Sequence, residues 1–177
     1  MRRLLFIIIV LLPGILFAQA NEQPDIWKPL KFFVGFWEGT GEGTSGTSKV
    51  EANFKFVLNE NFLEARYKAV FEPQEKNPKG EVHEDFGYFS YDTSRKKFVY
   101  RQFNIEGFVN QFVLDSISPD GKTIIFITEN VENGPPNLRA RTTYKILNND
   151  EFEEIFELAF PGKDFEVCVK NHFNRII

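Results

Sequence analysis

A closed all-β barrel of about ten antiparallel strands in up-and-down order, preceded by a short helical turn, is the fold this sequence predicts. Three observations predict it. The 177 residues include 21 Phe and 5 Tyr, residue types that suit a pleated and half-buried surface. Apolar residues recur with period two in segment after segment, the pattern of strands with one face buried. The breaks between segments are short and rich in turn formers, too short for crossover helices, which makes neighbouring strands antiparallel. A meander of that length leaves two unpaired edges unless it closes on itself, so a barrel is preferred to a sandwich.

The chain opens with Arg2 and Arg3, an unbroken apolar run from Leu4 to Leu12, a break at Pro13 and Gly14, and the small residues Ala18 and Ala20 flanking Gln19. This is the layout of a secretory signal peptide over residues 1–20, with the mature protein, a single barrel domain over 21–177, beginning near Asn21 and exported to the periplasm or beyond. The apolar run is shorter than the roughly 20 residues a membrane-spanning helix needs, and no stable span is expected after cleavage. Residues 25–34, with Trp27, Leu30, Phe32 and Phe33, lack period two and read as a helical turn covering one end of the barrel.

The strands follow in order. Residues 36–43 form the first. Val50, Ala52, Phe54, Phe56 and Leu58 alternate with polar residues, turn at Asn59, Glu60 and Asn61, and continue as Leu63, Ala65, Tyr67, Ala69 and Phe71, a hairpin. Residues 73–80 read as a long surface loop, rich in charge and turn formers. Further strands are expected over 84–91, 98–105, 108–117, 123–129, 138–147, 152–160 and 165–173, separated by Gly107, by Pro119 to Gly121, by Asn133 to Pro136, by Asn148 to Asp150 and by Pro161 to Lys163.

Composition narrows function. Cleavage after Ala20 removes two arginines and no acid, moving the formal charge from −4 to −6, a poor match for nucleic acid. The single cysteine, Cys168, allows no internal disulfide. The chain has no His-Glu-x-x-His helix, paired-cysteine zinc spacing, phosphate-binding glycine loop or nucleophile elbow. His83, Glu84 and Asp85 are adjacent and alternate across a strand, which argues against their converging on a metal.

Glycine alternates with larger residues from Gly35 to Gly43, and Gly39, Gly41 and Gly43 share one face of the first strand. Missing side chains there permit sharp bending for barrel closure, or room for a bulky ligand. This glycine strip with Trp37, the later Gly87 and Tyr88 with His83 four residues before Gly87, and a last strand ending Asn174, Arg175 and Ile176 together resemble the nitrobindin-like group of barrels related to fatty-acid-binding proteins. The resemblance implies a ten-stranded calycin, or lipocalin-like, barrel. Some members bind haem b through a last-strand histidine and react with nitric oxide or peroxynitrite.

Carried onto this chain, the resemblance makes His172 the candidate axial ligand, His83 the distal pocket histidine, and Cys168 an alternative to His172. Alternation on the last strand opposes this, because Phe165, Val167, Val169 and Phe173 form one face and His172 falls on the other with Glu166, Lys170, Asn174 and Cys168. Candidates for holding a ligand inside the barrel are Gly39, Gly41, Gly43, Tyr88, Tyr100 and Arg101, the last as a guanidinium fork for a carboxylate. The resemblance also implies that Arg175 on the last strand stacks on Trp37 of the first and closes one end, an interaction worth about 0.5 to 2 kcal/mol. Three readings of function stay open: a non-enzymatic carrier or sensor of a small apolar ligand, a haem protein acting on reactive nitrogen species, and a filled barrel that binds a partner through its surface.

Overall fold

The computed structural model of the protein describes residues 25–176. The signal-peptide segment lies outside the described residues. Ten strands follow one 3-10 turn at Lys31–Phe33: β1 Gly35–Gly43, β2 Gly46–Val57, β3 Phe62–Phe71, β4 Glu81–Asp92, β5 Lys97–Asn104, β6 Val109–Ile117, β7 Thr123–Glu132, β8 Arg139–Asn148, β9 Glu151–Ala159 and β10 Glu166–Ile176. Each strand pairs antiparallel with its neighbours in sequence, and β1 pairs with β10 from Phe36 opposite Ile176 to Gly43 opposite Val169, so the sheet closes. The fold is the expected all-β up-and-down barrel.

Period two decides which side chains enter. On β2, Val50, Ala52 and Phe54 are buried while Thr47, Lys49 and Glu51 are exposed, and the register carries the inner row across to Ala65, Gly87 and Gln102 on β3, β4 and β5. One departure matters on β10. A register shift between Val167 and Val169 leaves Val167 about half exposed, so the inner row is Val169, Asn171, Phe173 and Arg175. The sequence pattern had grouped Val167 with the inner face, and the bulge reverses that.

The two halves of the interior differ. Toward one end Trp37, Phe54, Leu63, Phe89, Phe126, Phe152 and Phe173 are each no more than 2 % exposed. Phe152 stands at the middle of this cluster, its ring centre 4.7 Å from that of Trp37, 4.8 Å from Phe173 and 5.2 Å from Phe33. Each such side chain contributes about 1.5 to 3 kcal/mol through burial.

The segment before β1 seals this end, which we call the floor. Trp27 packs against Phe56 and Phe98, and Phe33 against Phe54 and Tyr144. The Trp37 indole donates from Nε1 to the Phe33 carbonyl at 2.7 Å. Arg175 locks the seal from the other chain end: its guanidinium carbon lies 4.1 Å from the centre of the Trp37 ring, and its Nη1 and Nη2 donate to the carbonyls of Val34 at 2.9 Å and Phe32 at 2.8 Å.

At the opposite end, the mouth, lie the turns joining β1 to β2, β5 to β6, β7 to β8 and β9 to β10, together with the 73–80 loop. That loop is pinned to β2 by Gln74, whose side chain donates to the Thr47 carbonyl at 2.7 Å and accepts from the Thr47 amide at 2.8 Å.

Candidate functional site

The mouth half of the interior, called the hollow below, is less sealed than the floor half. Tyr67, Ala69, His83, Asp85, Gln102, Phe156, Leu158, Val169 and Asn171 all belong to inward-facing rows, yet each remains partly exposed. Side chains on inward rows keep contact with water where they lie toward an open barrel end. Tyr67 shows this clearly, because burial lifts its hydroxyl well above the ordinary phenol range while its ring still borders accessible space.

Polar groups gather where the hollow meets the packed half. Glu154 is 8 % exposed and accepts from Asn171 Nδ2 at 3.1 Å. Desolvation by the surrounding protein pushes its carboxyl up to about 7, against the pull of the Asn171 bond. The hydroxyls of Tyr67 and Tyr144 lie 3.2 Å apart. Across the hollow, Gln102 donates to Asp85 at 2.9 Å and accepts from Asn110 at 3.1 Å. Among the described residues, four buried side-chain oxygens have no hydrogen-bond partner: Ser48 Oγ, Tyr100 Oη, Thr142 Oγ1 and Asn171 Oδ1. Unsatisfied buried acceptors cost about 1 to 3 kcal/mol each, so they mark a place suited to polar company.

At the mouth, His83 faces inward on β4. Its Nε2 lies 3.6 Å from Asp85 and its Nδ1 2.8 Å from Glu106 on the β5–β6 turn. The hydrogen bond to Asp85 raises its pKa, with the Glu106 charge acting in the same sense against desolvation. Glu81, His83 and Glu106 bring ligand atoms within 4.8 Å of one another. Of the three adjacent residues, Glu84 points away, while His83 and Asp85, two residues apart, share the inner face. Glu106 joins them from a turn, and no local spacing in the sequence signals it.

The other candidates fall as follows. Tyr100 points inward, its ring stacked 3.9 Å from Phe89. Tyr88 and Arg101 do not line the hollow. Opposite Glu64 and Arg101 in the ladder, Tyr88 is on the outer wall and donates to Glu64 at 3.1 Å, while Arg101 is exposed. Their neighbours Gly87, Tyr100 and Gln102 occupy the inner row, so alternation puts both outside.

Of the glycines, Gly39 and Gly43 serve close approach of β1 to β10, since a Cβ at Gly39 would lie 1.7 Å from the His172 carbonyl oxygen and one at Gly43 2.2 Å from that of Cys168. A Cβ at Gly41 would instead meet Asn171 Oδ1 at 2.5 Å and Ser48 Oγ at 2.6 Å, two of the unpartnered oxygens.

The residues do not fit a haem held from the last strand. His172 is paired with Thr40 and Glu153 in the outer row, on the far side of the wall from the hollow. Cys168 sits at the β10 bulge, its Sγ 3.7 Å from the Glu166 carbonyl and its thiol raised by burial, which disfavours the thiolate an iron would need. His83 points inward, but both of its ring nitrogens face carboxylates.

A concavity lies on the outer wall. The outer faces of β1 to β5 form a groove of about 500 Å³ that includes Phe36, Phe86, Phe103, Ile105 and Ile176, all exposed. Arg66 covers the Phe86 ring at 5.2 Å.

These features define a closed ten-stranded up-and-down barrel, sealed at one end and with partly exposed inward residues at the other. The fold is similar to that of Rv2717c from M. tuberculosis, with a TM-score of 0.67 at 16% identity over 86% of this chain and 98% of that one. A looser likeness, TM-score 0.45 at 9% identity over 85% of this chain and 99% of the other, is to EF1p2_mFAP2b bound to DFHBI. No protein family's sequence profile matches the chain, and no curated protein does. Among the described residues, no helix is long and apolar enough to cross a membrane.

Proposed function

We propose that this protein is an exported, non-enzymatic binding barrel that holds a small molecule in the mouth half of its interior. The observation that carries the reading is the contrast between halves: inward residues are sealed at the floor and partly water-accessible toward the mouth. Ala69, Phe156, Leu158 and Val169 offer apolar wall to the body of a ligand, and the polar group around Glu154 offers it an anchor. Such a division, mostly apolar with a few placed polar groups, is how small-molecule pockets fix orientation.

Native mass spectrometry of the purified barrel, followed by extraction of co-purified small molecules, tests this. A bound species that disappears in Ala69→Phe, which fills the hollow, supports the reading. A bound species unaffected by that substitution places binding elsewhere and refutes it. Export is tested by sequencing the N-terminus of the protein from intact cells, which should begin near Asn21.

A second reading is favoured by the exposed aromatic groove on β1 to β5: partner binding through the outer wall. Phe86→Glu would abolish such an interaction while leaving the interior ligand in place. A nitrobindin-type haem function finds no support in His172, which lies on the outer row.

A further inference from the structure

We infer that the mouth of the barrel carries a binding site for a divalent transition-metal ion, zinc by its ligand set, formed by His83 Nδ1 and the carboxylates of Glu81 and Glu106. The inference stands apart from the reading of the interior as a small-molecule site.

The backbone brings the three residues together. Glu81, His83 and Asp85 are alternate residues of β4 and share its inner face. The pairing of β4 with β5 runs one step past Asp85 opposite Asn104, because the Ile105 amide donates to the Glu84 carbonyl at 3.1 Å. The next residue, Glu106, therefore falls beside His83. The turn that follows is held at Gly107, φ 88°, whose carbonyl accepts from Asn133 Nδ2 at 2.8 Å.

Ligand atoms of Glu81, His83 and Glu106 lie within 4.8 Å of one another, with His83 Nδ1 2.8 Å from Glu106 Oε1. In a tetrahedral zinc site with bonds of about 2.0 to 2.2 Å, neighbouring ligand atoms stand about 3.4 Å apart. Small rotations of two exposed glutamate side chains supply that spacing. Three protein ligands leave a fourth position for water.

The ligands also have supporting partners. Asp85 Oδ2 stands 3.6 Å from the other ring nitrogen of His83, Nε2, and Gln102 holds this carboxylate by donating to its Oδ1 at 2.9 Å. A carboxylate beside the nitrogen that does not ligate is the usual companion of a metal-bound histidine, fixing both ring orientation and tautomer. Nε2 keeps its proton toward Asp85, and the metal takes the place of a proton on Nδ1. Asn77 Nδ2 donates to Glu81 Oε2 at 3.3 Å and steadies the second ligand.

Charge favours a dication at this place. Glu81, Asp85 and Glu106 surround one imidazole, and among the described residues no lysine or arginine forms an ion pair with any of them. The other ion pairs among the described residues are all made by lysine or arginine: Lys31, Lys55, Arg66, Arg95, Arg141 and Arg175. The imidazole selects the kind of dication, because calcium and magnesium take oxygen ligands, while a nitrogen with two carboxylates suits zinc and its neighbours.

The test is calorimetric titration of zinc chloride into tag-free protein stripped with EDTA. One ion should bind per chain, and calcium should bind at least about a hundredfold more weakly. His83→Gln, Glu106→Gln and Glu81→Gln should each weaken zinc about tenfold or more. Asp85→Asn removes the charge beside Nε2 and should weaken it by about ten- to a hundredfold. Glu84→Gln and His172→Gln, both on the outer wall, should leave the affinity unchanged. A second readout needs only the wild-type protein: in nitrogen-15 spectra of the imidazoles, zinc should shift the Nδ1 resonance of His83 and leave those of His172 in place.

Absence of saturable zinc binding overturns the inference, as does zinc affinity unchanged in both His83→Gln and Glu106→Gln. Calcium binding as tightly as zinc, or a zinc-induced shift at His172 in place of His83, overturns it equally. Zinc binding at His83 with no co-purified organic molecule leaves the metal site standing while the small-molecule reading fails. A co-purified molecule lost in Ala69→Phe, with no zinc bound by the wild type, does the reverse.

Discussion

Arg175 does three things with one side chain: it covers the Trp37 ring and donates to two carbonyls of the segment that seals the floor. Removing it leaves those carbonyls short of a donor and uncovers the indole. Arg175→Ala should cost about 2 to 3 kcal/mol, read as a fall in Tm, and Arg175→Lys should recover only part of it because a point charge cannot bridge both carbonyls and stack. Glu154 carries the opposite kind of signature. Its folded-state pKa lies above the ordinary carboxyl value, so the folded protein holds this proton over a range in which the unfolded chain releases it. Stability from this group is full below about pH 4.5 and declines as the pH rises to about 7, by about 3 kcal/mol in all. His83, also raised, loses its contribution as pH climbs through its folded value, so the two act in the same direction. Urea unfolding between pH 5 and pH 8 should show wild-type stability falling, with a shallower fall in Glu154→Gln.

At the scale of elements, β1 is shaped by its neighbour β10. With a Gly39 Cβ 1.7 Å from the His172 carbonyl oxygen, the two backbones cannot keep their approach if any side chain is added. Gly39→Ala should destabilise by more than about 3 kcal/mol in chemical denaturation, far more than an exposed substitution such as Thr40→Ala on the same strand. The strands themselves were legible because burial of one face imposes period two, and Val50 to Phe56 or Leu63 to Ala69 state it without interruption. The outward position of His172 follows from the same rule. Legibility ended where alternation is broken or where the partner is distant. The bulge after Val167 shifts the inner row of β10, and polar Asn171 gives no sign that it faces inward. Tyr88 and Arg101 drew attention by residue type, and their neighbours in the ladder place them outside. The contact between Glu106 and His83 depends on how a turn folds over the mouth, which no periodicity encodes.

Across the whole molecule, inward side chains are tightly packed at the floor and partly water-accessible toward the mouth. The aromatic cluster around Phe152 and the sealing segment supply cohesion that offsets the cost of the buried oxygens without partners. Phe33 joins the two parts of the floor through contacts with Phe54, Tyr144 and Phe152. Phe33→Ala should cost about 3 to 5 kcal/mol in thermal or urea unfolding, with ligand affinity at the mouth changed little in the molecules that remain folded.

The ladder between β1 and β10 joins the two ends of the described chain, while every other strand pairing joins neighbours in sequence. Local hairpins can therefore assemble as they are synthesised, but the cylinder cannot shut until the final strand exists. A polypeptide cut short between Ala159 and Glu166 would present two raw edges, along the glycine strip of β1 and along β9, and would be prone to join other copies edge to edge.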